Sequence, residues 1–439
     1  MFTDTLVLFG EVEGNQYADS IKFDPQLICD GGGFARLVKD VGIAIGMASP
    51  ADLRQLRVLL ANLLVVGRKG SGKWLAISKN RNSYGRKSLP VRYNRTRITF
   101  RVVKLLDGLR DKGLVEMKCG FNDRRTGRGF VTRVRPTGTL VKSLEDLPTD
   151  EAPAKDPRAE GIVMRDGKKA LIDYVETAET RRKRSQLDRI NHGIAKARIE
   201  LPDGTVLRGP LCRIFNNGCW THGGRFYGGE WESLPKGVRK QIQIDGKPTI
   251  ERDFSALHIR MLYRREAGID FRGDPYLIPG YESEDARDAF KKILLRCLNA
   301  DSRTAAVRAT LRDRQENPED YPADLNVKAA VDAFLSAHAP IRHCFFKPAL
   351  GVRLQNEDSE IANRVLLDLE RQGIVALPIH DSFVVAEQHD ETLRGAMERA
   401  YRDLIGGEPS IKYLLGLLGH GFEKVPRNLW SLSSRLLME

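Results

Sequence analysis

Residues 376–385 read ALPIHDSFVV, an apolar run with His380, Asp381 and Ser382 at its centre. Ala376, Leu377, Ile379, Phe383, Val384 and Val385 predict one buried β-strand. A carboxylate inside such a strand is costly unless it is paired or binds a metal. Whatever fold the chain adopts must therefore bring a cation to Asp381. No other stretch restricts the fold as much.

A second carboxylate meets the same demand. TIERDFSALHIRMLY (249–263) begins as a short strand ending at Asp253. Leu257, Met261 and Leu262 then take helical spacing, so Asp253 is expected at a strand-to-helix junction. Two aspartates meeting across adjacent strands repel each other unless a cation lies between them. Hard oxygen ligands with open positions suit magnesium, with manganese as a substitute. Paired metals of this kind serve in-line phosphoryl transfer. Between the two aspartates, ESEDARDAFKKILLRCLNA (282–300) reads as a helix. Arg287 and Lys291 are four apart and share one face, where a nucleotide's triphosphate could be bound and neutralised.

The charge balance agrees with such a substrate. The 439 residues carry a formal charge of +13, which favours an anionic partner, nucleic acid before an acidic membrane surface. No run of 18 apolar residues exists, so no membrane span is expected. The opening MFTDTLVLFGEVEG lacks a basic n-region and does not read as a signal peptide. Six cysteines stand without any CxxC pair, which predicts no zinc site and reduced thiols in a cytoplasm.

EDLPTDEAPAKDPRAEG (145–161) is nearly devoid of apolar residues and reads as a linker. Residues 1–50 are unassigned, with GGG at 31–33 expected as a loop. Residues 51–144 read as a winged helix-turn-helix domain. ADLRQLRVLLANLL (51–64) is its first helix. ITFRVVKLLDGLRDKGL (98–114) is its second, with Gly113 as the stop. VEMKCGFNDRRTGRGFVTRVRP (115–136) then predicts a hairpin whose turn carries Arg124, Arg125 and Arg128. In that fold the helix enters the major groove and the arginines reach phosphates. GRKGSGKW (67–74) fits the P-loop spacing only until Trp74, where a magnesium-holding Ser or Thr is needed, and reads as a basic loop. TAETRRKRSQLDRINHGIAKARI (177–199) predicts a strongly basic helix able to grip a duplex through its phosphates.

Taken in order, the motifs resemble those of the family A DNA polymerases and the single-subunit RNA polymerases of phages and mitochondria. Motif A of the DNA enzymes runs D-Y-S-x-I-E-x-R. Here Asp253, Phe254, Ser255, Ala256, Leu257, His258, Ile259 and Arg260 follow it. Motif B's R-x3-K falls on Arg287 and Lys291, without the later aromatic and Tyr-Gly pair. A helix led by Gln precedes motif C in the family, and LQNEDSEIANRVLLDLERQG places Gln355 there. His380-Asp381-Ser382 is the H-D-S form of motif C found in the RNA enzymes. GGRFYGG (223–229), with Arg225, resembles a Gly-Arg-aromatic-Tyr element of the same enzymes, although its upstream Asp is missing.

The resemblance covers roughly residues 205–400 and implies an α+β right-hand polymerase following the winged domain. Its polymerase domain would span 162–439, with a thumb-like helix at 177–199, palm at 205–265 and 352–439, and fingers at 266–351. Asp253 and Asp381 would hold two magnesium ions. Arg287, Lys291, His258 and Arg225 would bind the nucleotide, and His380 would sit beside the primer terminus. Gln355 and Arg260, with Arg124, Arg125 and Arg128, would contact nucleic acid. The implied activity is template-directed nucleotidyl transfer on a DNA template and primer, in a primase-polymerase or replicative polymerase of a plasmid, phage or mobile element. A transcribing RNA polymerase is the first rival, and a DNA-binding initiator or regulator with an inactive palm is the second. His258 stands where the DNA enzymes carry a glutamate that excludes ribose, so ribonucleotides are expected to be accepted.

Overall fold

The computed structural model describes residues 19–414, apart from 69–71, 86–87, 123–128, 148–150, 152 and 157. Arg124, Arg125 and Arg128, the expected hairpin arginines, lie outside the described residues. The chain forms two compact units that divide between Glu176 and Thr177. Both mix helix and sheet, an α+β architecture. Among the described residues no helix is long and apolar enough to cross a membrane.

In the first unit a four-stranded sheet joins β1 (Ser20–Lys22), β2 (Trp74–Ile77), β3 (Val115–Lys118) and β4 (Thr132–Pro136) in the spatial order β1-β2-β4-β3. β1 runs parallel to β2, and the other neighbours are antiparallel. Helices α1 (Gly32–Ala44), α2 (Pro50–Arg68) and α3 (Arg101–Asp111) share one core with it. Leu56, Leu59, Leu60 and Leu63 of α2 are fully buried with Leu105, Leu106 and Leu109 of α3. α3 ends where glycine was expected to stop it. Gly113 adopts φ +66°, its N–H donates to Arg110, and Leu114 N–H donates to Leu109, satisfying carbonyls the helix would leave open. α2 runs past Leu64 to Arg68, so a helix precedes the glycine loop and a strand follows it. That order is the reverse of a P-loop.

Two readings are corrected here. GGG at 31–33 is not simply a loop, because Gly32 and Gly33 open α1. The acidic stretch 145–161 is not a bare linker either. Glu151 is buried, and its carboxylate accepts from Gly33 N–H at 2.9 Å and Phe34 N–H at 2.6 Å. α1 has no side-chain N-cap of its own, so a distant carboxylate satisfies its first amides. Gly31 makes room for it, since a Cβ there would lie 2.1 Å from Glu151 Cδ. Asp156 is likewise buried, beside Arg158 and Arg95.

The second unit is built on an antiparallel sheet. Its strands are β5 (Ile199–Glu200), β8 (Gln243–Ile244), β9 (Lys247–Phe254), β10 (Leu377–Ile379), β11 (Ser382–Ala386) and β12 (Ile411–Leu414). β9 is central, with β11 along one edge and β12 along the end of the other. A separate hairpin, β6 (Cys212–Phe215) with β7 (Gly223–Tyr227), carries GGRFY. The helices are α4 (Ala178–Lys196), α5 (Leu257–Leu262), α6 (Glu284–Asn299), α7 (Arg303–Glu316), α8 (Val327–Ala337), α9 (Leu350–Arg371) and α10 (Asp390–Ile405). α4 is the expected basic helix. Its Lys183 reaches Glu360 of α9 at 3.5 Å.

Candidate active site

ALPIHDSFVV is two strands rather than the single strand its composition suggests. Ile379 pairs with Ser382 across a two-residue turn, so His380 and Asp381 form the tip of a hairpin. His380 takes φ +58°, the left-handed region such short turns require. The tip frees Asp381 from the ladder while leaving its flanks buried. Its carbonyl still accepts from Phe254 N–H at 3.2 Å.

Asp253 is the penultimate residue of β9 and lies directly opposite Ser382 on β11. Residues opposite one another in an antiparallel pair have Cβ atoms about 5 Å apart. Asp381, in the turn just before Ser382, is thereby brought next to Asp253, and its carboxylate acts on that of Asp253. After Phe254 the chain turns through Ala256, at φ +51°, into α5, the strand-to-helix junction expected from the sequence. Burial, then the Asp381 and Glu251 carboxylates, push Asp253 up to about 7 against Lys412 and Lys236. Burial also raises Asp381, with Arg225 opposing.

Three side chains around this pair form a cluster that sequence reasoning found only in part. Asp358 of α9 is 2% exposed. Arg225 Nε lies 3.1 Å from each of its carboxylate oxygens, and His258 Nε2 lies 2.7 Å from Oδ2. Burial opposes ionisation of Asp358, yet Arg225 and His258 hold its carboxyl below the ordinary range. Arg225 and Asp358 both act on Asp381, so the cluster adjoins the acidic pair. Asp358 sits three positions after Gln355 on the same helix, and that spacing was its available signal. Glu251 was also missed. It is two residues before Asp253 and faces the same side of β9. Ser382 Oγ donates to it at 2.7 Å, and Arg239 pairs with it at 3.0 Å.

His380 packs edge-on to Tyr227. Burial and Arg225 push its pKa down to about 4, so it is neutral at pH 7. Its Nδ1 is buried, with no hydrogen-bond partner among the described residues.

Arg287 and Lys291 occupy one face of α6, over the ring of Tyr276 at 5.6 and 6.0 Å. Arg287 also pairs with Asp274 at 2.6 Å, and Lys291 with Asp288 at 2.5 Å. Tyr276 is pushed up to about 12 by burial, Asp274 and Asp381, which places the cationic face within electrostatic reach of the acidic pair. Lys292 turns elsewhere, to Asp320 and Asp313. Arg260 is committed to backbone. It donates to Ser255 at 2.9 Å, to Gly273 at 2.7 Å and to Phe271. Gln355 is half-buried on α9.

No family model matches the sequence, and no curated protein matches it. Among solved structures the chain is similar to the POL domain of Pol1 from M. smegmatis, in complex with DNA primer-template and dNTP. The identity is 11% and the TM-score 0.30, over 88% of this chain and 66% of that one, a little under two thirds of its length. A likeness so distant settles neither family nor activity.

Proposed function

We propose that the second unit is a template-directed nucleotidyltransferase, joining nucleoside triphosphates to a primer strand with Asp253 and Asp381 as its metal ligands. The observation that supports this most is the hairpin tip, which sets Asp381 beside Asp253 with both carboxyls raised above their usual range. Such a pair gains from a divalent cation, because a cation removes the repulsion and desolvation that raise it. Magnesium, when bound there, acidifies an attacking hydroxyl and neutralises a leaving pyrophosphate.

The chain's own groups do the rest. Arg287 and Lys291 bind the triphosphate and meet the charge that develops on departure. Arg225 and His258 are held in place by Asp358, and His258 has Nδ1 left to accept from a ribose hydroxyl. His380, neutral, sets its ring beside the primer end. The helices and sheet of the first unit support a winged-helix reading, in which it recruits the enzyme to DNA. That pairing of modules suits a primase-polymerase or replicative polymerase of a plasmid, phage or mobile element.

Primer extension with magnesium and labelled nucleotides tests the reading. Asp253→Asn and Asp381→Asn should each abolish incorporation while leaving DNA binding intact. Substantial extension by either folded variant would remove the pair from catalysis, and inactivity of the wild type on every primed template would favour a DNA-binding protein. Omitting the primer, and supplying ribo- or deoxynucleotides, separates primase, RNA polymerase and DNA polymerase.

A further inference from the structure

The cysteine spacing predicts no zinc site, because no two cysteines stand in a CxxC pair. Ligands brought together by folding are invisible to that rule. Glu266 lies in the π-helical turn Tyr263–Ala267 that prolongs α5, and His343 and Cys344 end the 3-10 turn Ala339–Cys344 just before α9. These two stretches are 77 positions apart, yet Glu266 Oε2 is 3.2 Å from His343 Nε2. His343 Nε2 is in turn 3.5 Å from Cys344 Sγ, and the three ligand atoms all lie within 4.8 Å of one another.

Those spacings can be compared with zinc geometry. Zinc–ligand bonds near 2.0–2.3 Å at tetrahedral angles give an N–O edge of about 3.3 Å and an N–S edge of about 3.6 Å. Both observed edges agree to about 0.1 Å. The accessibility is suitable as well. Cys344 is 2% exposed and forms the floor, while His343 and Glu266 are open to solvent, so an ion can enter from one side. A thiol, an imidazole and a carboxylate form a borderline-soft set, which suits zinc and not magnesium.

We propose that Glu266, His343 and Cys344 form a zinc site, distinct from the acidic pair, with a fourth position for water. On binding, the Cys344 thiol gives its proton to solvent and its sulfur becomes a thiolate ligand. Its water-filled fourth position leaves it open, but its place between two separate segments makes it a tether. It fastens the segment leaving α5, which carries His258, to the turn preceding α9, which carries Asp358. Two further ties already join these regions: Tyr263 to His338 at 2.9 Å, and Arg265 to Glu357.

The test uses the full chain after chelator treatment and dialysis. Cobalt(II) is titrated first, as a visible substitute for zinc. A thiolate-to-cobalt charge-transfer band and tetrahedral d–d bands should appear, saturating at one cobalt per chain, and zinc should displace them. Cys344→Ser should abolish the charge-transfer band. His343→Ala and Glu266→Gln should weaken binding at least tenfold. Cys119→Ser should keep the band, and so should Asp253→Asn, since the acidic pair has no sulfur. Zinc should also raise the thermal midpoint of the wild type but not that of His343→Ala, whose exposed side chain can be removed without unfolding. Absence of a thiolate band in the wild type, or its survival in Cys344→Ser, would overturn the proposal.

Discussion

At Asp253 the electrostatics of the site become a measurable property of stability. The folded carboxyl titrates near 7, against roughly 3.9 in the unfolded chain. Between those values the folded state holds a proton that the unfolded state has lost. Stability attributable to this group therefore falls as pH rises from about 4 to about 7, and is level above. Asp253→Asn keeps the shape and removes the charge. In chelator its thermal midpoint should exceed that of the wild type at pH 8, with the gap closing toward pH 4. A difference independent of pH would show that the carboxyl is not raised. Asp358 presents the opposite case, a buried anion with partners. Asp358→Asn leaves the partly buried Arg225 without its counter-ion and should cost about 3 kcal/mol in denaturant unfolding. Adding Arg225→Gln should recover part of that loss, because the two groups are in contact. Strict additivity would mean that they do not act as a pair.

Among the elements, α6 gives the sharpest contrast between neighbouring side chains. Lys291 shares a face with Arg287 over Tyr276, while Lys292 is turned about 100° away and bonded to acidic residues. If the first face meets phosphates, Lys291→Ala should lower incorporation about 100-fold. Lys292→Ala should leave the rate nearly unchanged and lower stability by up to about 1 kcal/mol. Steady-state extension beside thermal melts separates the two, and equal rate losses would overturn the assigned register. The helix itself was legible, expected over 282–300 and observed as Glu284–Asn299 with Ser283 as its cap. The hairpin at 377–386 was less so. An unbroken apolar run predicts burial equally for one long strand and for two short ones, and only the positive φ of His380 distinguishes them.

For the whole molecule the relevant quantity is charge. The chain's formal charge of +13 predicts strong, salt-dependent affinity for nucleic acid. Each phosphate contact contributes roughly 0.9 to the slope of log K against log salt on duplex DNA. Replacing Arg124, Arg125 and Arg128 together by Ala in the full chain should make that slope shallower by up to about 3. Extension of a preformed primer should survive. Fluorescence anisotropy across a salt series measures the first effect, and an unchanged slope would take these three arginines out of DNA recognition.

The chain by itself determined what depends on neighbours in sequence: α3 and its glycine stop, the basic helix α4, the Asp253 junction, and the shared face of Arg287 and Lys291. These rest on periodicity and local backbone preference, which a short window contains. Tertiary structure decided what depends on distant partners. Glu151 looked like linker because its composition is polar, yet the bare N-terminus of α1, 118 positions away, uses its carboxylate. Asp358 lay hidden in a charged helix because Arg225 and His258, which make its burial tolerable, are 133 and 100 positions away. A buried charge is stable only where its counter-charge arrives, and that arrival is a property of the fold.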